Sequence, residues 1–279
     1  MAQSTDAAAP PSGEIPARHV PLVRWSAAVH AAGIAVVLAV PRAWPWALGA
    51  ILADHALLVW GSLWPRSRLI GPNLTRLPEA AARARKVALT FDDGPDPEVT
   101  PAVLRLLADR GVRATFFCIG ERAARHPDLV RDIVRQGHDV ENHSFAHPHR
   151  FCFFSPAALA DEIDRAQATL KALGGRPPRF FRAPAGLRNP WIEPVLRSRG
   201  LRLVSWTRRG LDTVSRQPQT VLDRLTRGLR AGDILVLHDG RGGAPALRPP
   251  VLEVLPRLLE RLEAAGLQGT TLAEAMHVS

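Results

Sequence analysis

The chain holds two cysteines, Cys118 and Cys152, and two lysines, Lys86 and Lys171, in 279 residues. Two thiols cannot build a disulfide framework or a four-thiolate metal centre, so a metal here needs histidine and carboxylate ligands. Each thiol reads as a buried core residue. With lysine this scarce, the basic charge is arginine: 36 Lys+Arg against 26 Asp+Glu give a net charge of +10. The arginines are scattered rather than striped, which argues against a nucleic-acid surface and points to an anionic membrane surface or substrate. A glycine-rich dinucleotide fingerprint and internal repeats are also missing. What is present, 46% hydrophobic and 22% charged residues, excludes disorder for most of the chain and suffices for one large domain or two small ones.

Residues 1–20, rich in Ala, Pro and Ser without apolar periodicity, are expected to form a disordered tail. Two long apolar runs follow. From Trp25 to Val40 only Ser26 and His30 are polar, and from Trp44 to Trp64 only Asp54, His55 and Ser62 interrupt. A hydrocarbon core of ~30 Å takes about 20 helical residues, so 21–65 is predicted to be a membrane hairpin turning at Pro41–Pro45. Trp25, Trp44, Trp46, Trp60 and Trp64 stand near the segment ends, where interfacial tryptophans belong. The alternative is a soluble, buried helical hairpin, since Asp54 and His55 are costly in lipid. The long polar leader and the second apolar run are unlike a cleavable signal peptide, so the anchor is expected to stay attached. Arg18 and Arg24 precede the first apolar segment, Arg42 lies in the turn, and Arg66, Arg68 and Arg76 follow the second segment. The positive-inside rule then puts both ends, and the C-terminal domain, on the cytoplasmic face of a bacterial-type inner membrane. If the shorter first segment fails to span, the domain lies on the other side.

After a predicted linker, 66–85, short apolar runs alternate with helical patterns to the end of the chain. Strands are expected at Lys86–Phe91, Ala114–Ile119, His138–Asn142, Arg179–Arg182, Leu201–Trp206, Asp233–Leu237 and near Thr270–Leu272. Helical stripes lie between them, such as Leu159, Ile163, Ala166 and Leu170. Seven such units predict an α/β protein with a distorted barrel rather than an open sheet.

In such folds the chemistry gathers at the carboxyl ends of the strands. The first strand ends in Thr90-Phe91-Asp92-Asp93-Gly94-Pro95. Neighbouring carboxylates there point in different directions, so one can hold a metal while the other takes a proton; an Asx-type turn into a helix is the plainer alternative. The third strand runs into His143 and His147. Four apart, they share a face if the stretch turns helically, and with one Asp they make a three-ligand site that leaves a position open for water. Taken alone, such a pair is more often surface decoration, but here a strand-end Asp pair accompanies it. His149 is a nearby decoy and His138, inside the strand, is structural. Arg182, ending the fourth strand, can pair with a carboxylate and hold it ionised, Asp92 being the natural partner. Trp206 ends the fifth strand, with Asp212 six residues on. His238 ends the sixth, placed to protonate a leaving amine.

In the order and spacing of five motifs, the chain from Lys86 onward resembles the NodB-homology polysaccharide deacetylases, carbohydrate esterase family four. The resemblance implies a distorted barrel of seven or eight strands and a divalent metal, zinc by default, with cobalt or nickel tolerated. It makes Asp92 the catalytic base, Asp93, His143 and His147 the metal ligands, and Arg182 the tether of Asp92. It gives the Ala185 amide the oxyanion-donor role, at a position where the family usually carries tyrosine. Asp212 would support Arg182, Trp206 would line the groove, Leu237 would wall the acyl pocket, and His238 would be the general acid. The activity implied is hydrolysis of N-acetyl groups from amino sugars in a poly- or oligosaccharide or a lipid-linked glycan.

Two departures bear on the substrate. Thr213 stands where a groove tryptophan is expected. Thr207-Arg208-Arg209-Gly210-Leu211 carries two arginines where acidic residues are common, which favours an anionic substrate unless they merely form a solvated loop. With the hairpin, they suggest an amino sugar on a polyprenyl phosphate carrier, losing an acetyl or a formyl group. An inactive glycan-binding module is the alternative of another class. Trp206 and Trp191 can stack on sugar rings or pack in the core.

Overall fold

Proline shapes the start of the chain. In the computed structural model, which describes residues 21–240 and 250–278, helix α1 (Pro21–Ala39) turns through a 3-10 segment at Pro41–Ala43 into α2 (Trp44–Leu63). Pro41 and Pro45 sit in the first turns of their segments, where a missing N–H leaves no bond unmade. Both helices are long and apolar enough to cross a membrane, and no residue of Leu22–Ala39 is buried. Asp54 is met inside the hairpin, where Ser26 Oγ donates to its Oδ2 at 2.6 Å. The expected tail, 1–20, lies outside the described residues.

The segment expected to be a linker is built into the domain. Ile70, Leu77 and Ala81 are buried, the last on the short α3 (Glu79–Arg83). Leu74 N donates to Leu203 O at 3.0 Å and Ser205 N to Leu74 O at 2.9 Å, while Leu77 N donates to Gly232 O at 2.9 Å. The segment covers strand edges that would otherwise be bare.

Eight parallel strands follow: β1 (Lys86–Asp92), β2 (Thr115–Cys118), β3 (Asp139–Asn142), β4 (Phe180–Phe181), β5 (Arg202–Leu203), β6 (Arg208–Arg209), β7 (Ile234–His238) and β8 (Gln268–Thr270). Their order is β5-β4-β3-β2-β1-β7-β6, with β8 beside the first half of β1. The curled sheet is a half-barrel. Bridges Leu74↔Val204 and Arg76↔Asp233 place 74–76 in its gap. β4 and β5 are shorter than the sequence suggests, β6 is too short and polar to show a period, and β8 begins two residues before the expected Thr270.

The helices are α4 (Thr100–Ala108), α5 (Gly120–Arg125), α6 (Pro127–Arg135), α7 (Pro156–Gly174), α8 (Ile192–Arg197), α9 (Pro218–Thr226), α10 (Val251–Ala264) and α11 (Leu272–Ala275). Strand alternation divides the core. Val87, Leu89 and Phe91 of β1 and Leu235 and Leu237 of β7 pack with Val103, Leu107, Val254 and Leu258 on the helix side. The opposite parity brings Thr90, Asp92, Val236 and His238 to the concave face.

Candidate active site

The carboxyl ends of the strands surround a cavity of about 490 Å³, whose lining includes Asp92, Asp93, His143, His147, Ala185, Trp206, Arg209, Val236 and His238. Nε2 of His143 and Nε2 of His147 each lie 3.3 Å from the same Asp93 oxygen. His143 Nδ1 stands 2.8 Å from the Arg182 carbonyl; a carbonyl only accepts, so Nδ1 carries a proton and Nε2 is the ring atom turned to Asp93. Two imidazole nitrogens and a carboxylate oxygen within 4.8 Å of one another make a donor set that fits a divalent cation. Burial works to raise the Asp93 pKa, but the hydrogen bond to His143 and the charges of His143, His238 and His147 hold it well below the usual carboxylate range. Burial and the neighbouring His143 push His147 down to about 4, so it is neutral at pH 7.

A loop, not a helix, brings the two histidines together. Ser144 and His147 have φ of 64° and 52°, so the stretch reverses instead of continuing helically. The turn is held by Asn142 Oδ1, accepting from Ser144 N at 2.9 Å, and by Glu162, whose Oε2 accepts from Phe145 N at 3.0 Å and Ala146 N at 2.9 Å. Sequence reasoning passed over Glu162. Its signal was an acid within the apolar stripe Leu159, Ile163, Ala166 of α7. Among the described non-glycine residues with positive φ, Asp93, Ser144, His147, Ala185 and Leu211 all lie at or beside the cavity and only Arg85 lies elsewhere; strain of this kind concentrates at functional sites.

Arg182 is 1% exposed and each of its three guanidinium nitrogens has a partner. Nη1 donates to Asp92 Oδ1 at 2.6 Å and Thr90 Oγ1 at 2.7 Å, and Nη2 to Ser205 O at 3.0 Å. The plane also sits 4.1 Å over the Phe117 ring. Asp92 is therefore held in one orientation beside Asp93.

Asp212 differs from expectation. It does not touch Arg182: its Oδ1 lies 2.7 Å from His238 Nδ1 and its Oδ2 accepts from His238 N at 2.8 Å. The loop after β6 returns beside the end of β7, whereas the Arg182 donors are already used by Asp92, Thr90 and Ser205. Burial opposes a charge on His238, but Asp212, with Asp92 and Asp93, overrides it and pushes the pKa up to about 9. With Nδ1–H on Asp212, the Nε2 proton remains available for donation.

Leu237 is also corrected. It faces the helix-side core and is fully buried; Val236, on the parity of His238, lines the cavity in its place. Ala185 lines the cavity in left-handed conformation, in a chain that has no tyrosine. Trp206 forms a wall against Gly186, where a Cβ would stand 2.5 Å from the indole, and Thr213 and His149 also reach the cavity. Only one of the two arginines faces it. Arg208 is turned away to Asp233 and to the carbonyls of Arg227 and Gly228, while Arg209 lines the cavity and stacks 5.1 Å from the Trp206 ring. Trp191 is 52% exposed and outside it. Asp239, next after His238, was missed as well. Its buried carboxyl, pushed by burial up to about 7, accepts from Thr100 Oγ1 at 2.6 Å and packs where a Gly94 side chain would lie.

This fold and this constellation agree with the comparisons to known proteins. Residues 79–204 match the family model for polysaccharide deacetylase. Over 192 residues the chain is 31% identical to a peptidoglycan-N-acetylglucosamine deacetylase of Bacillus cereus, covering 68% of this chain and 87% of that one. A chitooligosaccharide deacetylase of a Bradyrhizobium species is 38% identical over 160 residues, 56% of this chain and 71% of its own. The solved structure of a family 4 carbohydrate esterase from Streptomyces lividans, in complex with acetate, superposes with a TM-score of 0.60 at 35% identity over 66% of this chain and 91% of that one. The chain belongs to the polysaccharide deacetylase family, and its enzymatic class is that of a hydrolase.

Proposed function

We propose that the chain is a metal-dependent deacetylase that removes N-acetyl groups from amino sugars of a glycan while its N-terminal hairpin holds it in a membrane. The observation that carries this reading is the convergence of a tethered carboxylate, a three-ligand donor set and a proton-bearing histidine on one cavity. Asp93, His143 and His147 would hold the cation, zinc by donor type, with cobalt or nickel as substitutes. A divalent cation bound there would polarise the acetamide carbonyl and lower the pKa of the attacking water.

The chain's own residues do the rest. Asp92, aimed by Arg182, removes a proton from the water as its oxygen bonds to the acetamide carbon. The Ala185 N–H is the candidate donor to the oxygen on which negative charge develops. His238, charged through Asp212, gives its Nε2 proton to the sugar nitrogen as the carbon–nitrogen bond breaks. Acetate and a free amine leave.

For the substrate we favour an amino sugar carried on a polyprenyl phosphate. Arg209 is a cation at the cavity with no carboxylate partner among the described residues, and the hairpin would keep the enzyme where such carriers reside. The test is acetate release by the detergent-solubilised chain from N-acetylglucosamine oligomers and from a polyprenyl-phosphate-linked N-acetylhexosamine. Faster turnover of the linked sugar, lost in Arg209→Ala, supports the lipid-carrier reading. Equal turnover that Arg209→Ala leaves unchanged removes it and leaves an anchored polysaccharide deacetylase. Release from neither substrate would move the reading to a glycan-binding module.

A further inference from the structure

The hairpin does not hang from the domain on a free tether. Immediately after α2, the Pro65 carbonyl accepts from Ser205 Oγ at 2.5 Å and from Asn73 Nδ2 at 2.9 Å. Arg66 Nη1 donates to Thr207 O at 3.1 Å. Arg188 donates from its backbone N to Ser62 O at 3.2 Å and from Nη2 to Ser67 O at 2.8 Å. Ser205 and Thr207 flank Trp206, a wall of the cavity, and a Cβ on the cavity-lining Gly186 would stand 2.8 Å from the Pro65 Cβ. The end of the apolar hairpin is thus packed onto two loops that line the active site. Arg188, 1% exposed, is committed to this joint.

The second observation is where the domain leaves apolar side chains bare. After Trp64, the exposed large hydrophobic residues among those described are Leu69 (40%), Phe153 (83%), Trp191 (52%) and Val214 (75%). All four lie at the hairpin exit or in loops beyond the carboxyl ends of the strands. Leu69 follows the hairpin, Phe153 lies after β3, Trp191 after β4, and Val214 after β6, beside the cavity-lining Thr213. The loops of Phe153 and Trp191 are joined, Asn189 donating to Phe154 O at 2.8 Å and accepting from Trp191 N at 3.0 Å. Single exposed apolar residues are ordinary, but their confinement to one face is the mark of an interaction surface. This face is continuous with the stacked Trp60 and Trp64 at the end of α2, and exposed Arg66, Arg68 and Arg150 border it.

We infer that this face is a second membrane contact: the loops around the cavity rest in the headgroup layer of an anionic bilayer, and the active site opens at the lipid surface. Aromatic side chains suit that layer and arginines suit its charge. The inference rests on the membrane-hairpin reading, and it deepens the substrate assignment, because a cavity facing the bilayer is reached by a sugar held at the lipid surface more readily than by a bulk polymer.

The test uses the full chain, with Cys152→Ala, in vesicles of phosphatidylglycerol and phosphatidylethanolamine and no other protein. Nitroxides are placed through Phe153→Cys, Trp191→Cys, Gln136→Cys at the opposite end of the strands, and Val36→Cys in the hairpin, and their collisions with oxygen and a water-soluble nickel chelate are compared. The expected result is labels at 153 and 191 shielded from nickel relative to 136, with 36 deep in the bilayer. Labels at 153 and 191 as open to nickel as that at 136, with 36 still deep, would overturn the surface contact while leaving the hairpin reading intact, and the face would then belong to a protein partner. A nickel-accessible label at 36 would overturn both.

Discussion

Asp212→Asn separates the general-acid role of His238 from every other part of the site. In the native protein the His238 pKa rises from 6.5 to about 9, which at about 1.4 kcal/mol per pH unit favours the imidazolium by about 3 kcal/mol. Asparagine removes the negative charge and the carboxylate acceptor 2.7 Å from Nδ1, while burial, which disfavours the charged ring, remains. The pKa then returns toward 6.5 or below. At about pH 7.5 the protonated fraction falls from nearly all to about one in ten or less, so turnover drops at least about ten-fold. A bound cation offsets Asp93 and lowers the absolute value in both proteins, so the informative quantity is the difference between them. The assay is the pH dependence of kcat for acetate release. His238 works protonated, so activity is lost as pH rises through its pKa, and that basic limb moves to lower pH in Asp212→Asn. An unmoved basic limb would refute the assignment of His238 as the acid charged by Asp212.

Other perturbations test the placements that differ from the sequence reading. Val236→Phe should fill the cavity and lower kcat/KM for the N-acetylated sugar with little change in urea midpoint, whereas Leu237→Ala should cost about 2–5 kcal/mol of stability with KM retained. Arg182→Met leaves a buried Asp92 without its cation and should destabilise the domain by about 3–5 kcal/mol, read by urea unfolding. Glu162→Ala frees the loop between the two histidines and should weaken zinc binding by about 10–100-fold, measured by competition with a chromogenic chelator.

The residues at strand ends were legible because a strand's alternation and its terminus are local properties. Asp92, Asp93 and His238 needed only that β1 and β7 end where their apolar runs stop. The same period would have chosen Val236 over Leu237, since Val236 shares the parity of His238; the resemblance, not the alternation, put Leu237 in the wall. Asp212 could not be paired from sequence, because its partner depends on how the loop after β6 returns to β7. The segment 66–85 looked like a linker since Ile70, Leu74, Leu77 and Ala81 form no long run; Leu74, Leu77 and Ala81 find their place against the sheet and Ile70 against Gly61 of α2. Arg208 and Arg209 are neighbours in sequence but point apart as strand residues do, which leaves one cation at the cavity rather than two.

The most direct measurement of the central claim is acetate release from N-acetylglucosamine oligomers by the purified chain as isolated, after chelation, after zinc is restored, and in Asp92→Asn. The account predicts release that chelation abolishes and zinc restores, and an Asp92→Asn variant that binds one zinc per chain yet releases no acetate. Release that survives chelation, or an Asp92→Asn variant as active as the native protein, would contradict it.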